Sequence, residues 1–231
     1  MLSTLFEKLV DLFLISFQNK KILKYLPKDL NLIIDVGAHE GQLYKSIKKY
    51  NINFNKLILF EPYEVSYNEI NKINDERVIT YNVALGSKKE LRNFNINKYN
   101  VTNTFSEPNE KSINNKIKNF IFSSNSESSY YLKKEYEINT LDFYLRDFTD
   151  DVDLLKIDTE GFELEVLKGV EDTLKKGKVK NIVLEKHKKG TYANYDPERI
   201  DKFLSSHNYR LVKNFNVLIF GFKDCLYTKI I

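Results

Sequence analysis

Apolar residues in this chain occur in short runs, which alternate with polar loops and with segments that have the 3.6-residue spacing of an amphipathic helix. The runs predict strands at 32–36, 56–60, 78–83, 153–157 and 180–184. The helical spacing predicts helices at 41–50, 63–73, 162–176 and 197–207. This alternation is typical of parallel βαβ units. It predicts an α/β fold with a doubly wound, mostly parallel sheet and helices on both faces.

Three segments depart from this alternation. Residues 1–26 are predicted to form an N-terminal amphipathic helical segment, whose helically spaced apolar residues are Leu2, Leu5, Phe6, Leu9, Leu12, Phe13 and Phe17. We expect this helix to pack on its own domain or on a second copy of the chain; the alternative is a helix that lies on a membrane surface. Residues 86–134 are polar and weakly periodic, which predicts an irregular insertion over the functional site. Adjacent strands at 209–213 and 217–222 predict a final antiparallel hairpin.

Composition narrows the class of protein. The 231 residues, of which 42% are hydrophobic, suffice for one compact domain, expected here over 27–231. The net charge of +4 is small and scattered, so it does not indicate a nucleic-acid partner. Cys225 is the only cysteine, which excludes an internal disulfide and a cysteine-rich zinc site and fits a reducing, cytoplasmic location. No apolar run reaches the ~18–20 residues of a membrane span.

The loop after the first strand, DVGAHEG, indicates which cofactor the fold binds. A nicotinamide-binding loop needs the pattern G-x-G-x-x-G, because its glycines let the backbone close on a pyrophosphate. Here Gly37 and Gly41 lie four apart. In addition, His39 and Glu40 place bulk and negative charge where a helix N-terminus would meet an anion. The loop therefore argues against a nicotinamide-dependent oxidoreductase, which is kept as an alternative.

A cofactor without phosphates tolerates this loop. S-adenosylmethionine carries an amino acid, a sulfonium cation, a ribose and an adenine, and Gly37 would let the backbone approach the amino-acid group. Asp35, at the end of the strand, is expected near the ammonium group. Glu61 ends the second strand, where a carboxylate can accept both ribose hydroxyls.

Six sequence blocks in fixed order make the chain similar to a known family. They read DVGAHEG, LFEP, YNVALGS, INTLDFYL, LLKIDTEGFELEVLKG and IVLEKH. Together they resemble the FkbM family of S-adenosylmethionine-dependent methyltransferases, many of which are O-methyltransferases. The resemblance implies a class I methyltransferase (Rossmann-like) fold with a seven-stranded sheet that ends in an antiparallel hairpin. His39 departs from the family pattern, in which asparagine is more common, so cofactor contact, substrate contact and a helix-surface role are all open for it.

The resemblance also implies cofactor-binding residues at the carboxyl ends of the parallel strands. The turn that holds the cofactor would comprise Asp35, Gly37, Ala38, His39 and Gly41. The remaining residues would be Glu61 and Pro62 at the ribose, Asn82, Val83 and Ala84 around the adenine, and Asp158 beside the methyl group.

Titratable residues that follow two later strands are the candidates for catalysis: Asp158, Glu160, Glu185 and His187. Methyl transfer to an alcohol requires alignment of the reactants and removal of a proton. Because Glu185 and His187 lie two apart, an extended backbone places them on one face, and the pKa of histidine suits a general base near neutrality. Glu160 has the alternative role of a helix cap, and His187 that of an ordinary loop residue. Lys156 is expected to form a salt bridge with an acid such as Asp158.

Two further roles follow from residue type. The set Asp158, Glu185 and His187 suits a divalent cation, but the spacing does not require one, so no metal is expected. Tyrosines on loops over the sheet edge can stack on sugar faces and are the candidates for substrate contact. They are Tyr130, Tyr131, Tyr192 and Tyr195.

These patterns together predict a cytoplasmic S-adenosylmethionine-dependent O-methyltransferase. The expected acceptor is a hydroxyl of a sugar, a glycan precursor or a similar natural product, and no nucleic-acid partner is expected. Besides the nicotinamide enzyme, the other alternative is a catalytically silent methyltransferase fold that serves as a binding module. The sequence leaves a homo-oligomer open.

Overall fold

The computed structural model describes residues 16–97, 102–109, 112, 130–217 and 221–230, and for Tyr130 and Tyr131 it describes the backbone alone. The helices in this part are α1 (Ser16–Leu23), α2 (Gln42–Lys49), α3 (Glu64–Ile70), α4 (Leu141–Leu145), α5 (Glu163–Lys168), α6 (Glu171–Lys175) and α7 (Pro197–Ser206). The strands are β1 (Asp29–Val36), β2 (Asn53–Phe60), β3 (Val78–Tyr81), β4 (Ala84–Leu85), β5 (Glu90–Asn97), β6 (Tyr130–Asn139), β7 (Val152–Ile157), β8 (Val179–His187), β9 (Tyr209–Val217) and β10 (Phe222–Lys229).

Seven of these strands form the main sheet, in the order β3-β2-β1-β7-β8-β10-β9. The strands from β3 to β8 in this order run parallel, whereas β10 runs antiparallel to both β8 and β9. The predicted doubly wound sheet with a closing antiparallel hairpin is confirmed. The strand order reverses between β1 and β7, and ligands of open α/β sheets bind in the crevice that such a reversal leaves at the carboxyl ends.

Helices cover both faces of this sheet, as predicted. The central strand β1 carries apolar side chains on both faces, and each face is buried by helices. Leu32, Ile34 and Val36 belong to one core cluster, which α4 to α7 complete. Ile33 points the other way and belongs to a second cluster, which α1, α2 and α3 complete. The next position on that second face is Asp35, so a polar residue replaces an apolar one where the strand meets the crevice.

The N-terminal segment packs on the domain in its described part. Ile22 and Leu23 of α1 are buried in the second core cluster, and Gln18 and Asn19 are buried beside them. Residues 1–15, which carry most of the predicted apolar stripe, lie outside the described residues, and the membrane-surface alternative stays a prediction. Within the part of the chain that the structure describes, no helix is long and apolar enough to cross a membrane.

The segment predicted as an irregular insertion is regular at both ends. Strands β5 and β6 pair antiparallel and, with β4, form a second sheet in the order β4-β6-β5. Between them the structure describes 102–109 and residue 112. The sequence indicated only short strands here, at 92–96 and 136–139, because much of β5 and β6 faces solvent and carries polar side chains on both faces.

A close approach of two glycines joins the second sheet to the helices of the main one. A Cβ atom on Gly169, between α5 and α6, would lie 2.0 Å from the carbonyl oxygen of Gly86, which follows β4. The Gly86 N–H donates to the carbonyl of Asn139 at 2.9 Å, and the carbonyl of Gly169 accepts the N–H of Asp142 at 2.9 Å. Both backbones are therefore fixed where they meet.

We expect Gly169→Ala to lower the free energy of unfolding by about 3 kcal/mol, because the added methyl group overlaps a backbone atom that cannot move away. Gly190→Ala is the matched control. Gly190 has a φ of 82° but nothing within 4 Å of its Cβ position, so its cost is the backbone strain alone, about 1–2 kcal/mol. Urea denaturation measures both values. Equal costs for the two variants would show that this glycine contact does not hold the sheets together.

Candidate active site

The turn between β1 and α2 lies directly on the loop that follows β7. Gly37 has a φ of 79°, and a Cβ atom there would lie 1.9 Å from the carbonyl oxygen of Asp158. The N–H groups of Gly37 and Ala38 both donate to the carbonyl of Phe60 at 3.0 Å. Gly41 also has a positive φ, and its N–H closes the turn onto the carbonyl of Ala38 at 2.8 Å. The glycine at position 37 is thus required by the meeting of two loops.

Glu61 holds this turn while it faces the cavity at the carboxyl ends of the strands. Its Oε2 accepts the N–H of His39 at 2.8 Å, and its Oε1 accepts the N–H of Tyr63 at 2.9 Å. Burial raises the pKa of Glu61 to about 7, although both backbone donors oppose the shift. The bracing role was not visible in the sequence, because it depends on the fold of a turn that lies over 20 residues away.

His39 and Asn82 shape the cavity wall. His39 has a φ of 48°, lines the cavity, and places its Nδ1 2.7 Å from the side-chain nitrogen of Gln42. Its position excludes a simple helix-surface role. Asn82 donates to the carbonyls of Glu61 and Pro62 at 2.9 and 3.0 Å, so its side chain braces the loop after β2. Pro62, which was predicted at the ribose, lines the cavity, as do Val83 and Ala84, which were predicted around the adenine.

A buried lysine lies between two of the predicted acids. Lys156 Nζ is 3.3 Å from Asp35 Oδ1 and 3.0 Å from Asp158 Oδ2, which confirms the expected salt bridge. Burial lowers the pKa of Lys156, but the two carboxylates outweigh it and hold that pKa above its usual value. Burial raises the pKa of Asp35 to about 6, against the opposing effect of Lys156.

Asp224 is a site residue that the sequence analysis missed. It lies on β10 opposite Glu185, is 7% exposed and lines the cavity. Burial raises its pKa to about 7, and the nearby charge of Asp158 acts in the same direction. The available signal was its spacing: Asp224 lies two residues before the buried Leu226, so an acid occupies a core-facing position of the strand.

Three of the four catalytic candidates converge in one cluster. His187 Nε2 lies 3.0 Å from Glu185 Oε1 and 3.6 Å from Glu160 Oε2, which confirms that Glu185 and His187 share a face. The structure places His187 at the end of β8, so the alternative that His187 is an ordinary loop residue is wrong. The strand is longer than predicted because β10 pairs with it as far as Phe222 and His187. The predicted metal-ligating set is also corrected: Glu160, not Asp158, joins Glu185 and His187.

Two of the four tyrosines predicted to contact substrate have described side chains, and both contact this cluster on the side away from the cavity. Tyr192 is 1% exposed and its hydroxyl donates to the Glu160 carboxylate. Tyr195 is 8% exposed and its hydroxyl accepts the N–H of His187 at 3.1 Å. Neither ring is therefore open for stacking on a sugar, and that prediction is wrong for both. The side chains of Tyr130 and Tyr131 lie outside the described residues.

The loop that carries Glu160 is fixed from two sides. Glu160 has a φ of 51°, a strained conformation for a residue with a side chain. Thr104 Oγ1 donates to its carbonyl at 2.6 Å, and Ser106 Oγ donates to that of Gly161 at 2.9 Å, so part of the insertion holds the loop. Glu163, not Glu160, caps this turn, since its Oε1 accepts the Gly161 N–H at 2.8 Å. Burial raises the pKa of Glu163 to about 8.

One cavity joins the cofactor turn to the cluster, and its lining is strongly acidic. Among the described residues that line it, Lys156 is the only lysine or arginine, whereas six residues carry carboxyl groups. They are Asp35, Glu61, Asp158, Glu160, Glu185 and Asp224. A lining of this kind attracts cations and disfavours phosphates.

Several solved structures have a similar fold. Methyltransferase FkbM from Methylobacillus flagellatus KT superposes with a TM-score of 0.55 at 13% identity, over 87% of this chain and 44% of that one. TrmK from M. capricolum, solved with S-adenosyl-homocysteine, gives a TM-score of 0.52 at 12% identity, over 92% of this chain and 68% of that one. Fibrillarin in its complex with Nop5p gives a TM-score of 0.51 at 13% identity, over 91% of this chain and 79% of that one.

These identities show the fold alone, and the chain spans less than half the length of the Methylobacillus protein. No curated protein matches the sequence. The family assignment comes from the sequence itself, in which residues 35–211 match the family described as the methyltransferase FkbM domain. That match covers most of the described site, from the cofactor turn to the cluster at the end of β8. The chain therefore belongs to the FkbM methyltransferase family.

Proposed function

We propose that this protein binds S-adenosylmethionine in the acidic cavity and transfers its methyl group to a hydroxyl of a small acceptor. The observation that carries the proposal is the charge of the lining: six carboxyl groups against the ammonium group of Lys156 among the described lining residues. S-adenosylmethionine brings a sulfonium and an ammonium group, both positive, so its charge fits this lining. The pyrophosphate of a nicotinamide cofactor is repelled by it.

The residues of the predicted cofactor turn support this proposal. The Glu61 carboxylate, although it accepts two N–H groups, keeps a lone pair on each oxygen for ribose hydroxyls. Asp35 and Asp224 provide negative charge for the ammonium and sulfonium end. Val83 and Ala84 provide apolar surface for the adenine.

We propose that the cluster of Glu160, Glu185 and His187 removes the proton from the acceptor hydroxyl. Bound S-adenosylmethionine supplies an electrophilic methyl group whose carbon–sulfur bond breaks, with its electron pair left on sulfur, as the acceptor oxygen bonds to carbon. The acceptor must also lose its hydroxyl proton. Glu160 and Glu185 line the cavity, whereas His187 is buried behind them. The carboxylates are therefore the groups that take the proton, and His187 positions them.

The acceptor class follows from charge and shape. A lining of six carboxyl groups disfavours a phosphate backbone next to the reacting atoms, which argues against nucleic acid as acceptor. Phe105 and Phe222 line the same cavity and offer apolar faces to the C–H side of a ring. We therefore propose a sugar, a glycan precursor or a similar polyhydroxylated natural product, with the reaction in the cytoplasm.

We expect S-adenosylmethionine, and not NAD, to raise the melting temperature, because a ligand of the native state stabilises it in proportion to its affinity. The affinity should rise about tenfold between pH 5.5 and pH 8. The pKa values of Asp35, Glu61 and Asp224 are raised to about 6, 7 and 7, so these acids are largely neutral at the lower pH and ionised at the higher. Calorimetry at both pH values measures this. Stabilisation by NAD alone would refute the proposed cofactor.

Glu61→Gln should weaken S-adenosylmethionine binding by about 10- to 100-fold, the usual effect of losing hydrogen bonds to a charged acceptor. The matched control is Glu64→Gln on α3, whose carboxylate is 57% exposed and pairs with Lys134. Calorimetry gives both affinities, and circular dichroism shows whether the variants are folded. Unchanged affinity in a folded Glu61→Gln protein would remove the ribose role from this residue.

A screen of free sugars and uncharged glycosides for release of S-adenosyl-homocysteine should identify an acceptor. With it, Glu160→Gln should lower the turnover rate about 10²- to 10⁴-fold, the usual contribution of a positioned proton acceptor, and leave cofactor affinity unchanged. The control is Glu137→Gln, whose carboxylate is 55% exposed on β6. Cofactor binding without turnover on any acceptor would instead favour the catalytically silent binding module.

A further inference from the structure

We propose that Glu160, Glu185 and His187 form a binding site for a divalent transition-metal ion. One ligand atom from each residue lies within 4.8 Å of the other two. The three come from two adjacent elements, the loop after β7 and the end of β8. Metal binding by this set does not depend on the methyl transfer proposed above, whereas a catalytic role for the metal rests on it.

The distances have the size that coordination requires. Metal bonds to imidazole nitrogen and carboxylate oxygen are about 2.0–2.2 Å long, which separates neighbouring ligands by about 3.0–3.5 Å in tetrahedral or octahedral geometry. His187 Nε2 lies 3.0 Å from Glu185 Oε1 and 3.6 Å from Glu160 Oε2. Both separations match an edge of such a polyhedron with little rearrangement.

The charges of the cluster also favour a metal ion, rather than a proton, between His187 and the two carboxylates. A single imidazole N–H can donate well to one carboxylate, yet oxygens of two carboxylates lie near the same nitrogen, and the side chains of Glu185 and His187 are 8% and 2% exposed. Two carboxylates close together, one of them buried, repel each other. A divalent cation neutralises both charges and is ligated by the imidazole.

Groups behind the cluster would orient its ligands. The Tyr192 hydroxyl donates to the Glu160 carboxylate, and the Tyr195 hydroxyl accepts the backbone N–H of His187 at 3.1 Å. The first contact fixes the direction of a ligand carboxylate. The second fixes the backbone that carries the imidazole. The two buried tyrosines, which the sequence predicted as substrate contacts, would therefore support the metal ligands instead.

The donor set selects the class of ion. One imidazole and two carboxylates suit Mn²⁺, Fe²⁺ or Zn²⁺ better than Ca²⁺ or Mg²⁺, which prefer oxygen ligands throughout. Three protein ligands leave coordination positions for an acceptor hydroxyl, and Glu160 and Glu185 face the cavity. A hydroxyl held there gives up its proton more readily, and a carboxylate oxygen that does not ligate the metal can accept that proton.

The test is calorimetric titration of chelator-treated protein with MnCl₂ and with ZnCl₂, together with Co²⁺ absorption spectra. We expect one ion per chain, a loss of affinity of more than ~100-fold in Glu185→Gln and in His187→Gln, and a changed Co²⁺ spectrum in both. Asp224→Asn is the matched control: Asp224 is buried and lines the same cavity, lies outside the ligand set and should leave metal affinity intact.

Circular dichroism shows that each variant is folded, and titration of the same chelator-treated protein with S-adenosyl-homocysteine tests the cofactor site separately. No binding of Mn²⁺, Zn²⁺ or Co²⁺ to the folded wild-type protein would overturn the metal site and leave the proposed cofactor untouched. Metal binding of equal strength in Glu185→Gln and His187→Gln would overturn it as well, because the ion would then bind elsewhere.

Discussion

The ion pairs of the buried Lys156, above all the one with the buried Asp35, are the interactions on which the rest of the site depends. Asp35 ends β1 and Asp158 follows β7, and one ammonium group lies 3.3 Å from the first and 3.0 Å from the second. Losing one partner of a buried pair costs about 3–5 kcal/mol, because the other charge stays buried without compensation. The pairs thus tie the cofactor turn to the loop that carries Glu160, at the same place where Gly37 meets the carbonyl of Asp158.

The sequence predicted the parts of the molecule that are encoded locally. Parallel strands covered on both faces read as continuous apolar runs, so β1, β2, β7 and most of β8 were found, along with the acids directly after them. The end of β8 was missed because Glu185, Lys186 and His187 are polar. In the structure they are buried: Lys186 reaches both oxygens of Asp201 at 2.7 Å, and the other two residues form the cluster.

The rest depends on contacts between distant parts of the chain. Asp224 joins the site through the pairing of β10 with β8, and Tyr192 becomes buried because the loop after β8 pairs with Pro108 of the insertion. No local pattern distinguishes such a tyrosine from a solvent-exposed one. The positive φ of Glu160 and the cap by Glu163 are also products of packing, since Thr104 and Ser106 hold that loop from a separate segment.

The acidity of the cavity favours binding of the proposed cofactor but opposes deprotonation of the acceptor. Around Asp35 and Asp224, negative charge favours a cationic cofactor over its neutral-sulfur product, and so favours exchange of product for a new cofactor. At Glu160 and Glu185 the same charge opposes a nucleophile, because after one carboxylate takes the proton the oxygen gains negative charge beside the other. A positive centre is needed at that end and not at the other. Among the described residues that line the cavity, Lys156 is the only lysine or arginine, and Asp35 and Asp158 already neutralise it. The metal ion proposed at Glu160, Glu185 and His187 would supply that positive centre.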